Sequence, residues 1–339
     1  MTFICYGYLS HLRRPLSVSY ERNIRGYDVG IETGTNEYAL LCALNACTAG
    51  FTSGSKPLAD TETSLRNIFS QLGVLNQHFL NLIYLPFWQS VLNLMGESDN
   101  HLILSGEAMS IKEATQAAMD ANNDMALYSI QKYSFIVTTF FCEWQEASCR
   151  LKSMEKFKKM RSTVGNHFSV LALEFFIALY NIARAKLTTK QRRKRKLIAR
   201  TKKIYRGLKK AYQEGVVMCG PIVSILQVEL LSTYGTPSQV YEAYRSAIAS
   251  AHTDQCMHFE AIVNERAGAY VLENIDFDEG MLFYGRAKQL YTEWGALAKA
   301  DHVGFILGCH SLNQKQIIAG GIPGRIDIPN LRNSQTAGS

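Results

Sequence analysis

AGAYVLENIDFDEGMLFYGRA, residues 267–287, decides how this chain folds. Apolar residues recur at spacings of three and four on both sides of a polar step at Asn274 to Asp278, the mark of two helices rather than two strands. Asp276 followed three residues later by Glu279 reads as a capping box, with the Asp taking the N3 amide and the Glu reaching back. Two helices joined by so short a step pack as an antiparallel pair. Gly268 and Gly280 are small residues placed where the two helices approach. Tyr284 and Ala287, spaced i, i+3, offer an aromatic and a small residue to the partner helix.

The same arrangement occurs once more upstream. Thr236 lies 40 residues before Asp276, and Gln239 stands where Glu279 stands. Tyr244 matches Tyr284 and Ala247 matches Ala287. A helical hairpin repeated at about 40 residues implies a solenoid, in which each pair buries its face on the next. With Gly280 opening the second helix, Gly268, Tyr284 and Ala287 fall at the small and aromatic sites of a tetratricopeptide (TPR) repeat. Asn264 falls at the tryptophan-like site and does not fit, so the repeat is degenerate.

Working outward, the rest of the chain carries the same period. It has seven prolines and no Asn-Gly or Asp-Gly turn between alternating apolar residues. Helices are expected near 15–32, 36–53, 57–72, 76–95, 109–121, 123–140, 143–160, 167–185, 190–214, 220–234, 237–252, 257–273, 277–293 and 296–309. Ser110 with Glu113 reads as a further capping box, and Gly220-Pro221 and Lys56-Pro57 mark breaks. The expected fold is all-α: a right-handed, TPR-like α-solenoid of antiparallel helix pairs over 1–310, with a concave groove. Residues 311–339 lose the period, carry Gly320-Gly321 and Pro323-Gly324, and are expected to be a disordered tail. FSVLALEFFIALYNIA (168–183) contains Glu174 and Asn181 and is too short for a membrane span, so a buried helix is expected. The N-terminus lacks the basic and cleavage regions of a signal peptide. Eight scattered cysteines without a CxxC pair suit reduced thiols. Together these point to a cytoplasmic protein.

The segment AIVNERAGAYVLENIDFDEGMLFYGRAKQLYTEWGALAKADHV (261–303) resembles the helical repeat region of large multidomain microbial signalling proteins. Asn264-Glu265, Ala267 to Tyr270, Ala287, Tyr291, Trp294-Gly295-Ala296 and Ala298-Lys299 carry the likeness. GYDVGIETGTNEYALLCALNACTAGFTSGSKPLADTE (26–62) and LNLIYLPFWQSVLNLMG (80–96) are similar to the family's entry hairpins. The resemblance covers roughly 10–305 and rests on packing motifs. It implies a helical array coupled to an AAA-type or STAND-type ATPase, serine/threonine-kinase-like domains and histidine-kinase or cyclase modules. It also implies a truncated fragment of such a protein, because the family's catalytic parts lie outside these residues.

A search for chemistry returns little. GFTSGSKP (50–57) has three residues between its glycines and Ser before its lysine, so it is not a phosphate loop but a helix end and turn. The kinase loops and the GxSxG elbow are absent. His252, Cys256 and His258 in HTDQCMH (252–258) could be read as metal ligands, but a fourth ligand is missing and packing roles are preferred. No cofactor, metal or catalytic residue is assigned. The expected function is a non-catalytic scaffold for protein–protein interaction in signal transduction. Its partner is expected to be a peptide segment or an associated ATPase or kinase domain, with no role at a membrane.

One stretch stands apart. Residues 184–210 hold fourteen Lys or Arg and no acid. Taking these from the chain's 36 basic residues leaves 22 against 29 acidic ones, a net of −7. The protein is therefore mildly acidic with one basic block, the helix and linker at 186–212. Leu197, Ile198, Thr201, Ile204, Tyr205 and Leu208 form one apolar face, so much of the charge is that helix's wet side. Lys190, Arg192, Arg193, Lys194, Arg195, Lys196, Arg200, Lys202 and Lys203 form a candidate patch for an acidic partner. Two alternatives stay open: nuclear import through the densest part, and a nucleic-acid-binding repeat protein using 190–203.

Overall fold

The computed structural model describes residues 2–74, 77–157, 159–160, 165 and 167–318, with side chains described to 312. A helical coil at 2–12, partly in π and 3₁₀ form, leads into the first long helix. The long helices are α1 (Leu16–Glu32), α2 (Asn36–Ser53), α3 (Leu58–Val74), α4 (His78–Met95), α5 (Ile111–Asp120), α6 (Asp124–Phe140) and α7 (Trp144–Glu155). They continue with α8 (Phe168–Leu187), α9 (Gln191–Gln213), α10 (Cys219–Leu231), α11 (Pro237–Thr253), α12 (Met257–Asn274), α13 (Phe277–Trp294) and α14 (Leu297–Ile318). The protein is all-α, and the described residues contain no strand.

The helix ends have local causes. Thr236 accepts from the Gln239 amide while the Gln239 side chain returns to the Thr236 amide, a complete capping box with Pro237 in the first turn. At α13 only half the box forms. Asp276 accepts from the Glu279 amide at 2.8 Å, but the Glu279 carboxylate turns away to accept from the Tyr241 hydroxyl. At α5 the Ser110 hydroxyl accepts from the Glu113 amide, without a return bond. Gly54, Gly96 and Gly295 close α2, α4 and α13 in the left-handed region, at φ 65°, 93° and 91°. GFTSGSKP is thus a helix terminus, with Gly54 as its cap. α14 runs on to Ile318, because nothing in SLNQKQII breaks a helix before Gly320-Gly321. The tail expected beyond position 310 otherwise lies outside the described residues.

Sequential helices pack on one another along the chain. The tightest pair is α12 with α13. A Cβ added at Gly280 would lie 2.6 Å from the Leu272 backbone, and one at Gly268 would lie 2.8 Å from the Tyr284 ring. These glycines let two backbones approach where any side chain would hold them apart.

Helices distant in sequence also meet. α14 packs on α4. Trp294, fully buried at the end of α13, lies with its ring 5.6 Å from Phe51 of α2, 6.1 Å from Phe140 of α6 and 5.2 Å from His258 of α12. Phe175 meets Phe259 at 5.1 Å, and Phe140 meets Phe176 at 5.1 Å. One hydrophobic core therefore extends from Leu16 to Val303. Tyr244 and Tyr284 fill this core, in keeping with their packing positions in the repeat. Burying rings of this size contributes far more than leaving them on a groove wall. α8 is long and apolar enough to cross a membrane by composition, but 67% of its apolar window is buried against its neighbours.

Candidate functional site

The basic patch is carried by α9. Only Thr201 and Leu208 on this helix are fully buried, with Ile198, Ile204, Tyr205 and Ala211 packed partly against the core. This narrow stripe rests on α8 and α10. The other faces project cations. Arg192, Arg193, Arg195, Lys196, Lys202 and Lys203 are exposed, Lys194 is half-buried, and Lys190 sits exposed at the N-cap position. Arg200 pairs with Glu155 of α7 at 3.0 Å, and Lys210 with Glu214 at 3.7 Å. Among the described residues, the remaining basic side chains from Lys190 to Lys209 have no carboxylate partner. The first turn of α9 contains no acid and instead carries Arg192 and Arg193. Cations there oppose the positive end of the helix dipole, and their mutual repulsion adds to that cost. The density of charge is maintained against the helix's own stability.

Beside the patch lies a shallow cleft between α9 and α10, lined by Lys202, Tyr205, Arg206, Gln227, Leu230 and Tyr234. The Tyr205 hydroxyl donates to Gln227 Oε1 at 3.2 Å. Tyr234, 71% exposed, lies with its ring under Lys202 Nζ at 5.8 Å. A second surface cleft runs over α11, α12 and α13. Its carboxylates are partnered: Glu260 lies 3.0 Å from His252 and 3.2 Å from Arg286, and Glu279 accepts from the Tyr241 hydroxyl. The two surfaces differ in that the first leaves its charge unanswered.

The repeat residues Gly268, Gly280, Tyr284, Ala287, Trp294, Tyr244 and Ala247 are all packed inside helix contacts. Tyr244 also donates to Glu229 Oε1 at 2.7 Å. Glu229, fully buried, accepts two bonds from Arg266 at 3.0 and 2.9 Å, and Lys186 Nζ lies 3.5 Å away. Burial alone would raise the Glu229 carboxyl, but Arg266, Lys186 and the two donors hold it well below the usual range. One residue away, Glu265 accepts from Lys299 at 2.6 Å and from Tyr291 at 2.9 Å. These are satisfied charge clusters inside the core. Sequence reading missed them, though a visible signal existed: Arg266 has Ile262, Val263, Ala269 and Tyr270 at three and four residues, and Glu229 follows Ile225 and Leu226 at the same spacing.

Among the described residues, the histidines and thiols singled out by the sequence are engaged in capping and packing contacts. His167 Nδ1 contacts Ser169 Oγ at 2.9 Å and Nε2 contacts Asn45 Oδ1 at 2.7 Å. Nδ1 also accepts from the Ser169 amide, so this is the N-cap of α8 rather than an activated serine. Burial pushes His167 down to about 3, too weak a base for work near neutral pH. Burial raises the thiols of Cys47, Cys219 and Cys256 to about 12, which keeps them from acting as thiolates. His252, Cys256 and His258 separate: His252 turns to Glu260, Cys256 to the Asp254 carbonyl at 3.4 Å, and His258 to Trp294. Among the described residues no three His, Cys, Asp or Glu side chains converge as a metal site. Comparison with protein-family profiles, with curated proteins and with solved structures finds no match to this chain.

Proposed function

We propose that the chain is a non-catalytic interaction module that binds an acidic protein segment along α9. We take its helix pairs to be TPR-like repeats of a right-handed solenoid, wound tightly enough that helices distant in sequence meet. The observation that supports binding on the outside is the row of cations from Lys190 to Lys203 that, Arg200 apart, lack acidic partners among the described residues. An acidic segment would relieve their repulsion and complete the charge balance. The likeness to signalling arrays makes an adjoining ATPase or kinase domain the natural source of that segment. Binding of a fluorescent Asp/Glu-rich peptide, followed by anisotropy, tests this. Affinity should fall steeply with salt and drop more than tenfold when Arg192, Arg193, Lys194, Arg195 and Lys196 are replaced by Gln. Unchanged affinity in that variant overturns the reading.

A second reading is favoured by the α9–α10 cleft. Tyr205 and Tyr234 beside Lys202 and Arg206 suit a stacked base and its phosphate. A single-stranded oligonucleotide that binds the protein and is lost with Tyr234→Ala would select this reading. Peptide binding untouched by Tyr234→Ala would select the first.

A further inference from the structure

Away from α9, a cavity of about 280 Å³ has a single lysine, Lys132, among its lining residues. Its walls come from the N-terminal coil, α2, α4, α6 and the start of α8. Most of the lining is apolar, through residues such as Leu41, Leu80, Ile83 and Met125, and Phe79, 62% exposed, stands at its edge. The polar wall groups are mostly engaged. The Ser129 hydroxyl donates to the Ile83 carbonyl at 2.6 Å, and Thr48 donates to the Leu44 carbonyl at 2.8 Å. Both nitrogens of His167 are occupied, as described above.

Three lining groups are left over. Lys132 has no carboxylate partner among the described residues, and its ammonium lies 4.4 Å from the centre of the Tyr133 ring. The hydroxyls of Tyr84 and Tyr133, which line the same space, also have no hydrogen-bond partner among the described residues. Lys132 is half-buried, and an ammonium held partly out of water without an anion is costly, so a lysine that served only packing would be better replaced by Leu or Met. A cation–π contact with Tyr133 offsets only part of that cost.

We propose that this cavity binds a small organic monocarboxylate with an apolar body, the carboxylate meeting Lys132 and the chain filling the space toward Leu80 and Met125. One cation with two phenols matches one carboxylate group. At about 30 Å³ for each water-sized group, the cavity takes roughly nine to ten heavy atoms, the size of an eight-carbon acid with its carboxylate. The groups facing Lys132 are Tyr8 from the coil, Tyr84 from α4, Tyr128 and Tyr133 from α6, and His167 before α8. Leu41 and Thr48 of α2 add no charge, and His11 and His258 lie farther round the same core. Burial keeps Tyr8, Tyr84 and Tyr133 protonated and pushes His11 to about 4 and His167 and His258 to about 3, so near neutral pH these are uncharged. Burial also lowers Lys132 to about 8. The ammonium form therefore dominates at pH 7 and is lost above pH 8 in the empty protein.

Calorimetry of the full chain with octanoate, octanol and octylamine tests the proposal. One octanoate should bind per chain, at least tenfold more tightly than either control. Affinity should peak near eight carbons. It should fall by roughly tenfold per pH unit above pH 8, because binding then requires proton uptake by Lys132. Lys132→Met should weaken octanoate at least tenfold and leave octanol unchanged, and Met125→Trp, which fills the space, should weaken both. Absence of octanoate binding to the native chain, or equal binding to Lys132→Met, overturns the proposal. If Lys132→Met does not fold, the pH series decides alone: a flat affinity from pH 7 to 9.5 overturns it. None of these readouts involves α9, so the result is independent of the interaction proposed there.

Discussion

At the scale of single residues, the glycines of the α12–α13 pair show how closely this packing is specified. Gly280 sits in a helix at an ordinary helical conformation, and its role is space alone. Gly280→Ala would drive a methyl group to 2.6 Å from the Leu272 amide and 2.7 Å from its Cα, so the helices must separate. A loss of about 1–3 kcal/mol is expected, the range for overpacked cores. Gly285, five residues on, is exposed and meets nothing within 4 Å. Gly285→Ala should therefore stabilise by about 0.5–1 kcal/mol, through helix propensity. Urea denaturation of both variants measures the contrast, and equal effects would refute it. Histidines set a second residue-scale expectation. Burial pushes His167 and His258 to about 3, below the ordinary 6.5. Between these values the unfolded chain binds a proton that the folded chain refuses, so stability is lost as pH falls below 6.5. Each histidine contributes a slope of about 1.4 kcal/mol per pH unit. The depressed carboxyls of Glu229 and Glu265 act in the same direction, but only below their unfolded values near 4.5. Stability measured between pH 7 and 5 should thus fall on histidine protonation. His258→Phe, which keeps a ring against Trp294, should remove one proton's worth of that slope.

At the scale of elements, α9 is the helix that contributes least to the core and carries the most repulsion. Its fully buried residues are Thr201 and Leu208. Salt shortens the reach of its like charges, from about 10 Å at 0.1 M to about 3 Å at 1 M. The melting temperature should therefore rise between 0.05 and 0.5 M NaCl. The rise should shrink when Arg192 to Lys196 are made neutral, as followed by circular dichroism. A fall in melting temperature with salt would show that ion pairs, not repulsion, dominate this surface. Elements were also the level at which the sequence was most legible. The stripe from Leu197 to Leu208, the Thr236 and Asp276 caps and the helix end at Gly54 all act within a few residues, so period and spacing revealed them. The reciprocal bond at Asp276 failed because Tyr241, 38 residues from Glu279, competes for the carboxylate. The Lys132 cavity was invisible for the same reason. Tyr128, Ser129, Tyr133 and Ile136 place Lys132 on the buried face of α6, but the walls that isolate it come from residues as distant as Phe3 and Ser169.

At the scale of the whole molecule, closure changes what kind of cooperativity to expect. In an open array each pair touches only its neighbours, stability is a sum of local terms, and the terminal pairs fray first. Here Trp294 joins Phe51 and Phe140, and a Cβ added at Gly295 would lie 3.5 Å from Leu58. No local pattern encodes a contact between residues 51 and 294, because neither segment's period refers to the other. The cost of bringing such distant segments together grows only slowly with the length between them, so a few large buried rings suffice to hold the closure. Native-state hydrogen exchange should then give α2, α4 and α13 protection close to that of the central α6 and α8, instead of a decline toward the ends. Trp294→Ala removes the ring shared by three helices and should cost about 3–5 kcal/mol. Its diagnostic effect is spatial. Protection should fall in α2 as well as in α13, although α2 lies more than two hundred residues away in sequence. A loss confined to α12, α13 and α14 would mean that these distant helices merely touch, and that the molecule behaves as an open array.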